Sequence, residues 1–237
     1  MANYNIFSKF YDSVMGDRSI EVSMVKKIIS ERCPKAKVIL EIACGTGSIL
    51  KLLPKKFEIY GLDISKKMLA VAKKKIPRAK LSHQDMRDFK FSEKFDIILC
   101  LFDSINHLIK LSDWKKVFVN VQKHLNNNGV FIFDINTEAK LKRLSVESSF
   151  TQKFGKNYMV MNITDKDKGI MNWNVKIFES RKNNDRMIFE ENIEEKSYPV
   201  KDIKVILQSI YSEVEVFDQK RNKPSQNSER VYFICRK

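Results

Sequence analysis

The stretch Lys37-Val-Ile-Leu-Glu-Ile-Ala-Cys-Gly-Thr-Gly47 decides the fold. Its short, β-branched apolar run reads as a strand buried on both faces, and the glycines that end it read as a tight turn opening a helix over 48–53. Upstream, residues 21–32 place Val22, Val25, Ile28 and Ile29 on one face at helical spacing, until Pro34 stops them. Downstream the strand–helix unit recurs. Residues 57–63 form a strand followed by a helix that Ser65 opens and Met68, Leu69 and Val71 carry through Lys75. Residues 79–85 are a shorter strand and 95–101 another buried one. A helix over 112–125 ends at Asn126-Asn-Asn-Gly129, and 130–135 is the fifth strand. This alternation predicts an α/β fold around a doubly wound, mostly parallel sheet, whose ligand sits beyond the carboxyl ends of the strands.

The rhythm changes after Arg143. Strands are expected over 158–164, 171–180 and 186–197, separated by the turn signals Asp165-Lys-Asp-Lys-Gly169 and Lys182-Asn-Asn-Asp185. Residues 144–197 thus read as a small antiparallel sheet inserted between 1–143 and 198–237, which together form the main domain. Pro199 opens a helix through Ile210. Strands over 213–217 and 230–235 then close the main sheet as an antiparallel hairpin, for seven strands with the last antiparallel.

A chain of 237 residues suits one such domain with an elaboration. Its 43% hydrophobic and 31% charged residues are ordinary for a globular protein, and no run approaches the roughly 20 apolar residues of a membrane span. Residues 1–12 lack the pattern of a secretory leader, so the cytoplasm is the expected compartment. Cys33, Cys44, Cys100 and Cys235 lack a metal-site spacing and read as reduced thiols. The net charge of +15 invites a nucleic-acid reading, but its lysines are spread along the chain and short runs such as Lys73-Lys74-Lys75 suit solvated faces.

Three strand ends carry the candidate chemistry. A glycine turn between strand and helix lets a ligand approach the backbone, because glycine lacks Cβ and tolerates φ > 0. Gly45-Thr-Gly-Ser-Ile-Leu50 lacks the third glycine of a dinucleotide fingerprint, which argues against a pyrophosphate seated on the helix. Asp63 ends the second strand, where a carboxylate binds two ribose hydroxyls or, equally, caps the next helix. His83-Gln-Asp85-Met86 ends the third strand; Asp85 there suits an exocyclic amine and Met86 the face of an aromatic ring.

With these residues the chain resembles the class I methyltransferases that use S-adenosylmethionine (SAM). Glu41-x-Ala-Cys-Gly-Thr-Gly47 is similar to the family's first motif, Gly61-Leu-Asp-Ile-Ser65 to its ribose-binding segment, Gln84-Asp-Met86 to its adenine-binding segment and Phe95-Asp-Ile-Ile-Leu-Cys100 to its fourth strand. The resemblance implies that Ala43, Gly45 and Gly47 approach the methionine portion of SAM, and that Glu41 orders the turn. It puts Asp63 on the ribose, Ile64, Met68, Asp85 and Met86 about the adenine, and Leu101 facing the sulfonium.

Tyr4-Asn-Ile-Phe-Ser-Lys-Phe-Tyr-Asp12, Phe102-Asp-Ser-Ile-Asn-His-Leu108 and Glu190-Glu-Asn-Ile-Glu-Glu-Lys-Ser-Tyr198 narrow the resemblance to the branch of deoxyamino-sugar N,N-dimethyltransferases and glycine-type N-methyltransferases. That branch implies His107 and, across a one-residue gap, Tyr4 beside the acceptor amine, with Tyr11 in a lid over SAM. Gly16-Asp-Arg-Ser-Ile20 lacks the branch's aromatic, and Ile210-Tyr211 replaces its Gly-Phe. The expected activity is methyl transfer to N or O of a small polar metabolite, an amine or amino sugar favoured, by a monomer or homodimer without metal or membrane. Two alternatives stay open: an RNA or DNA methyltransferase, supported by charge alone since Asp103-Ser-Ile-Asn106 stands where amino-group DNA enzymes carry a Pro-Pro segment, and a non-catalytic SAM-binding protein.

Overall fold

The computed structural model describes residues 4, 6–147, 149–182 and 185–237. A short 3-10 turn (Phe7–Lys9) and α1 (Tyr11–Met15) precede the amphipathic α2 (Ser19–Arg32). Then come β1 (Val38–Ile42), α3 (Ser48–Leu52), β2 (Glu58–Asp63), α4 (Lys66–Lys75), β3 (Lys80–His83) and β4 (Phe95–Cys100). A second 3-10 turn (Ser104–His107) leads to α5 (Leu111–His124), β5 (Leu125–Asn136) and α6 (Glu138–Val146). Four strands follow: β6 (Ser149–Phe154), β7 (Asn157–Asp167), β8 (Ile170–Ser180) and β9 (Arg186–Lys196). The chain ends in α7 (Val200–Gln208), β10 (Glu213–Asp218) and β11 (Arg230–Arg236).

The main sheet has seven strands in the order β10-β11-β5-β4-β1-β2-β3. β11 lies antiparallel to both β5 and β10, and the other pairings are parallel, as the sequence led us to expect. Both faces are covered, which is why its strands read as continuous apolar runs. Along β5, Phe131, Phe133 and Ile135 face one core with Trp114, Phe118 and Leu207, while Val130 and Ile132 face the other with Ile28, Ile39 and Leu50. Phe133 and Phe233, direct partners across β5 and β11, stack with ring centres 4.6 Å apart. No helix among the described residues is long and apolar enough to cross a membrane.

Two expectations need correction. The Asn126–Gly129 segment is not a turn: β5 begins at Leu125, opposite Phe95, and the extra residues form an irregularity where the register shifts between Phe95 and Ile97. Asn128 takes φ 63° there, and a Cβ on Gly129 would lie 2.9 Å from the Asn126 carbonyl, so turn-type residues serve a bulge inside a strand. The second sheet has four strands rather than three, in the order β6-β7-β8-β9. β6 escaped notice because it is an edge strand with mostly exposed side chains, so no apolar alternation marks it. Of the expected turn over 182–185, Asn183 and Asn184 lie outside the described residues.

Candidate active site

The turn after β1 is built on positive φ at Ala43 (54°), Gly45 (53°) and Gly47 (74°). Its loop is held by Cys44 N–H donating to the Leu62 carbonyl (2.9 Å) and Gly47 N–H donating to Cys44 O (2.8 Å). Glu41 is buried beneath it and accepts from the backbone N–H of Leu50 in the first turn of α3. Burial, with the nearby Asp63 charge, pushes the Glu41 carboxyl well above its ordinary value.

Asp63 accepts from Gly45 N–H at Oδ2 and from Ser65 N–H at Oδ1, both at 2.8 Å. It is therefore not the helix cap. That is Ser65, whose Oγ accepts from Met68 N–H at 3.3 Å. Burial raises the Asp63 carboxyl, opposed by those backbone donors.

These strand ends open into a cavity of about 310 Å³, within the size range of ligand pockets. Of the residues expected at the cofactor, Tyr11, Ala43, Gly45, Asp63, Ile64, Met68 and Met86 line it. The structure does not bring Glu41, Gly47, Asp85 or Leu101 to its wall. Gly47 turns the other way: a Cβ there would come within 2.5 Å of Ile76 Cδ1, so this glycine permits packing of α4. Asp85 is bound by Arg87, whose Nη2 donates to Oδ2 at 2.6 Å, and Gln84 takes the wall position beside Met86. Leu101 is buried in the core behind, and Phe102 and Asp103 line the cavity instead, at φ 56° and 51°. Two successive non-glycine residues in the left-handed region cost about 1–3 kcal/mol each.

The N-terminal segment closes one side. Asp12 accepts from Thr46 Oγ1 (2.6 Å) and Ser48 Oγ (2.9 Å) and pairs with Lys75 (2.5 Å), so α1 is tied to the glycine turn and to α4. Arg18 lies 4.1 Å from the centre of the Phe102 ring. Phe7, Phe10 and Val14 pack on Phe154, Met159 and Ile177 of the second sheet, so that sheet and the N-terminal segment form one roof.

At the inner end Tyr4 and His107 meet, with the Tyr4 hydroxyl 2.8 Å from His107 Nε2. His107 Nδ1 lies 3.3 Å from the Glu194 carbonyl, which only accepts; Nδ1 therefore carries the proton and Nε2 accepts from Tyr4 O–H. Burial lowers the His107 value, so the ring is neutral at pH 7, and raises that of Tyr4.

Beyond this pair lies a charged group that sequence reasoning missed. Arg230 Nη1 donates to Asp134, its Nη2 to Asp103 Oδ1 at 2.5 Å, and Lys140 Nζ to Asn136 Oδ1 at 2.8 Å. Arg230 holds Asp103 below its ordinary value against the opposing effect of burial. Asn136 ends β5, a strand end that the ligand rule for such sheets could have flagged. Nothing in the local sequence marks Lys140 or Arg230, which come from α6 and β11, and Glu195 of the second sheet sits in the 190–198 segment of the resemblance without a role assigned to it.

Residues 39–129 match the profile of a methyltransferase domain. A solved SAM-dependent methyltransferase from Clostridium acetobutylicum superposes with a TM-score of 0.85 and 28% identity, covering 98% of each chain. The chain carries a methyltransferase domain and has the fold of a SAM-dependent methyltransferase. A Bacillus subtilis protein named as the methyltransferase YqeM is 28% identical to it over 99% of this chain and 97% of that one. A dTDP-3-amino-3,4,6-trideoxy-α-D-glucopyranose N,N-dimethyltransferase of Streptomyces venezuelae is 31% identical over 55% of each. The strand-end lobe fits SAM in kind. A Cβ built on Gly45 meets nothing within 4 Å, leaving room for a ligand against the backbone, while Asp63 offers a carboxylate and Ile64, Met68 and Met86 offer apolar faces.

Proposed function

We propose that this methyltransferase transfers the methyl of SAM to the nitrogen of a small polar amine, an amino sugar favoured. The observation that carries the reading is the Tyr4–His107 hydrogen bond in the wall of the cavity that the glycine turn and Asp63 also line. Bound SAM supplies a methyl carbon made electrophilic by its sulfonium. Asp63 would hold the ribose, Gly45 and Ala43 the methionine backbone, and Ile64, Met68 and Met86 the adenine, with Tyr11 closing over them. Glu41 and Gly47 shape the turn from behind.

Neutral His107 with a protonated Nδ1 presents no positive charge to a cationic partner, and Tyr4 fixes the ring. Tyr4 oxygen keeps a lone pair to accept from an N–H of the acceptor. Such a pair aligns an amine whose own lone pair must be free, the main requirement when the leaving group is already good. The amino-sugar preference is supported by the Streptomyces relative, whose printed substrate is an amino sugar. We read residues 144–197 as the part that roofs the acceptor, and the chain as a cytoplasmic monomer or homodimer.

A panel of amine, amino-sugar and hydroxyl acceptors, scored by release of S-adenosylhomocysteine, tests the reading. Amines should be methylated and hydroxyl analogues should not; transfer to alcohols alone would overturn it. Calorimetric SAM binding should be lost in Asp63→Ala and Gly45→Arg; full binding in both would refute the cofactor assignments. Retention on RNA with a steep salt dependence would favour a nucleic-acid substrate instead.

A further inference from the structure

Glu195 stands on β9, where Ile193 and Glu195 face the cavity beside Trp173 of β8. Its side chain is only 6% exposed. One carboxyl oxygen accepts from Asn136 Nδ2 at 3.3 Å and the other lies 4.0 Å from His107 Nδ1, itself bonded to a carbonyl. Among the described residues no lysine or arginine forms an ion pair with it. The charged and titratable groups around it are Asp103 and His107 after β4, Lys140 on α6, Arg230 on β11 and Tyr4. Asp134 faces Arg230 from β5. The carboxylates Asp103 and Asp134 cancel Arg230 and Lys140. An ionised Glu195 is the surplus negative charge of this group, and among the described residues no cationic side chain pairs with it.

We propose that Glu195 recognises the acceptor as an ammonium ion and takes up the proton that frees its lone pair. This rests on the amine reading above. An alkylammonium brings the missing positive charge, which an alcohol cannot, so the residue also selects nitrogen over oxygen. In the step, an acceptor N–H bond breaks and its proton forms an O–H bond on Glu195, while the electron pair stays on nitrogen. That pair forms the bond to the methyl carbon as the carbon–sulfur pair leaves with the thioether, giving a methylated ammonium. Glu195 then returns its proton to water as the product departs. Burial first, and the Asp103 charge second, push the free carboxyl up to about 8, close enough to an alkylammonium for the proton to pass with little cost.

The decisive measurement is the titration of Glu195 by carboxyl carbon NMR in glutamate-labelled protein saturated with S-adenosylhomocysteine, the resonance being assigned with Glu195→Gln. Methylammonium chloride should lower the midpoint by about one unit, a tenfold change in proton affinity. Tetramethylammonium, which has no N–H to donate to the carboxylate and holds its charge farther from it, should not reproduce the shift. A midpoint that methylammonium leaves in place, or that both salts move equally, overturns the proposal.

With an amine acceptor from the panel, Glu195→Gln should lose about a hundredfold in kcat/KM at pH 7. The acid limb of its pH profile should move from about 8 up to the amine's own pKa, with partial recovery in Glu195→Asp. Thermal melting shows that both variants fold. An unchanged profile with active amine methylation defeats Glu195 alone. A methylammonium-sensitive Glu195 in a protein that methylates no amine defeats the acceptor reading and leaves the recognition role standing.

Discussion

At the residue scale, the Tyr4–His107 end of the cavity depends on side chains whose protonation the fold shifts. Tyr4→Phe removes the hydroxyl that His107 Nε2 accepts from, a bond worth about 1 kcal/mol, so kcat/KM should fall about fivefold with SAM affinity unchanged. Equal loss in both would mean the pair shapes the cofactor lobe instead. Glu195 gives a stability signature independent of turnover. Its folded value, about 8, stands above the ordinary carboxylate value, so the folded chain holds a proton that the unfolded chain releases. The stability this contributes is complete below the unfolded value and is lost as pH rises through about 8. Melting temperature should accordingly fall for the native protein relative to Glu195→Gln across that window and then run parallel; a constant gap would contradict a buried, protonated carboxyl.

At the element scale, the turn between β1 and α3 works through two different glycines. Gly45 leaves space for the ligand, whereas Gly47 lets α4 approach. Gly47→Ala places a Cβ against Ile76 in a residue at φ 74° and should destabilise by about 1–3 kcal/mol in denaturant unfolding. Adding Ile76→Val should recover the contact part of that loss but not the backbone part. The tie between α1 and the same turn is electrostatic and partly exposed. Lys75 and the hydroxyls of Thr46 and Ser48 outweigh the effect of burial on Asp12 and hold its carboxyl below its ordinary value. Salt should therefore weaken SAM binding in the native protein, and Asp12→Asn should bind a few-fold more weakly with little further salt dependence.

At the scale of the whole molecule, the roof over the cavity is one body made from two distant parts of the chain. Phe10 contacts Phe154 and Phe189 at centroid distances of 6.0 and 5.5 Å, joining the N-terminal segment to both edge strands of the second sheet. Truncating a buried phenylalanine costs about 3–5 kcal/mol, and here the loss falls on docking of the segment rather than on the main core. Phe10→Ala should thus speed proteolysis before Ser19 and weaken SAM binding while moving the global melt little. A large drop in global stability would show that the roof and the main sheet unfold together.

The sequence by itself determined the main sheet, because a strand covered on both faces must be an uninterrupted apolar run and a helix must repeat its apolar face. It likewise led to three residues of the cavity wall, since Gly45, Asp63 and Met86 are short-range consequences of where strands stop. It could not separate Gly47 from Gly45, or Gln84 from Asp85, because which neighbour faces the ligand depends on what packs behind the turn. Only the tertiary structure brought Tyr4 and His107, which the resemblance names, together with the charged group beside them. Tyr4, His107, Asn136, Lys140, Glu195 and Arg230 come from six separate segments and share no spacing, and their charges acquire meaning only when burial strips them of water and sets them against one another.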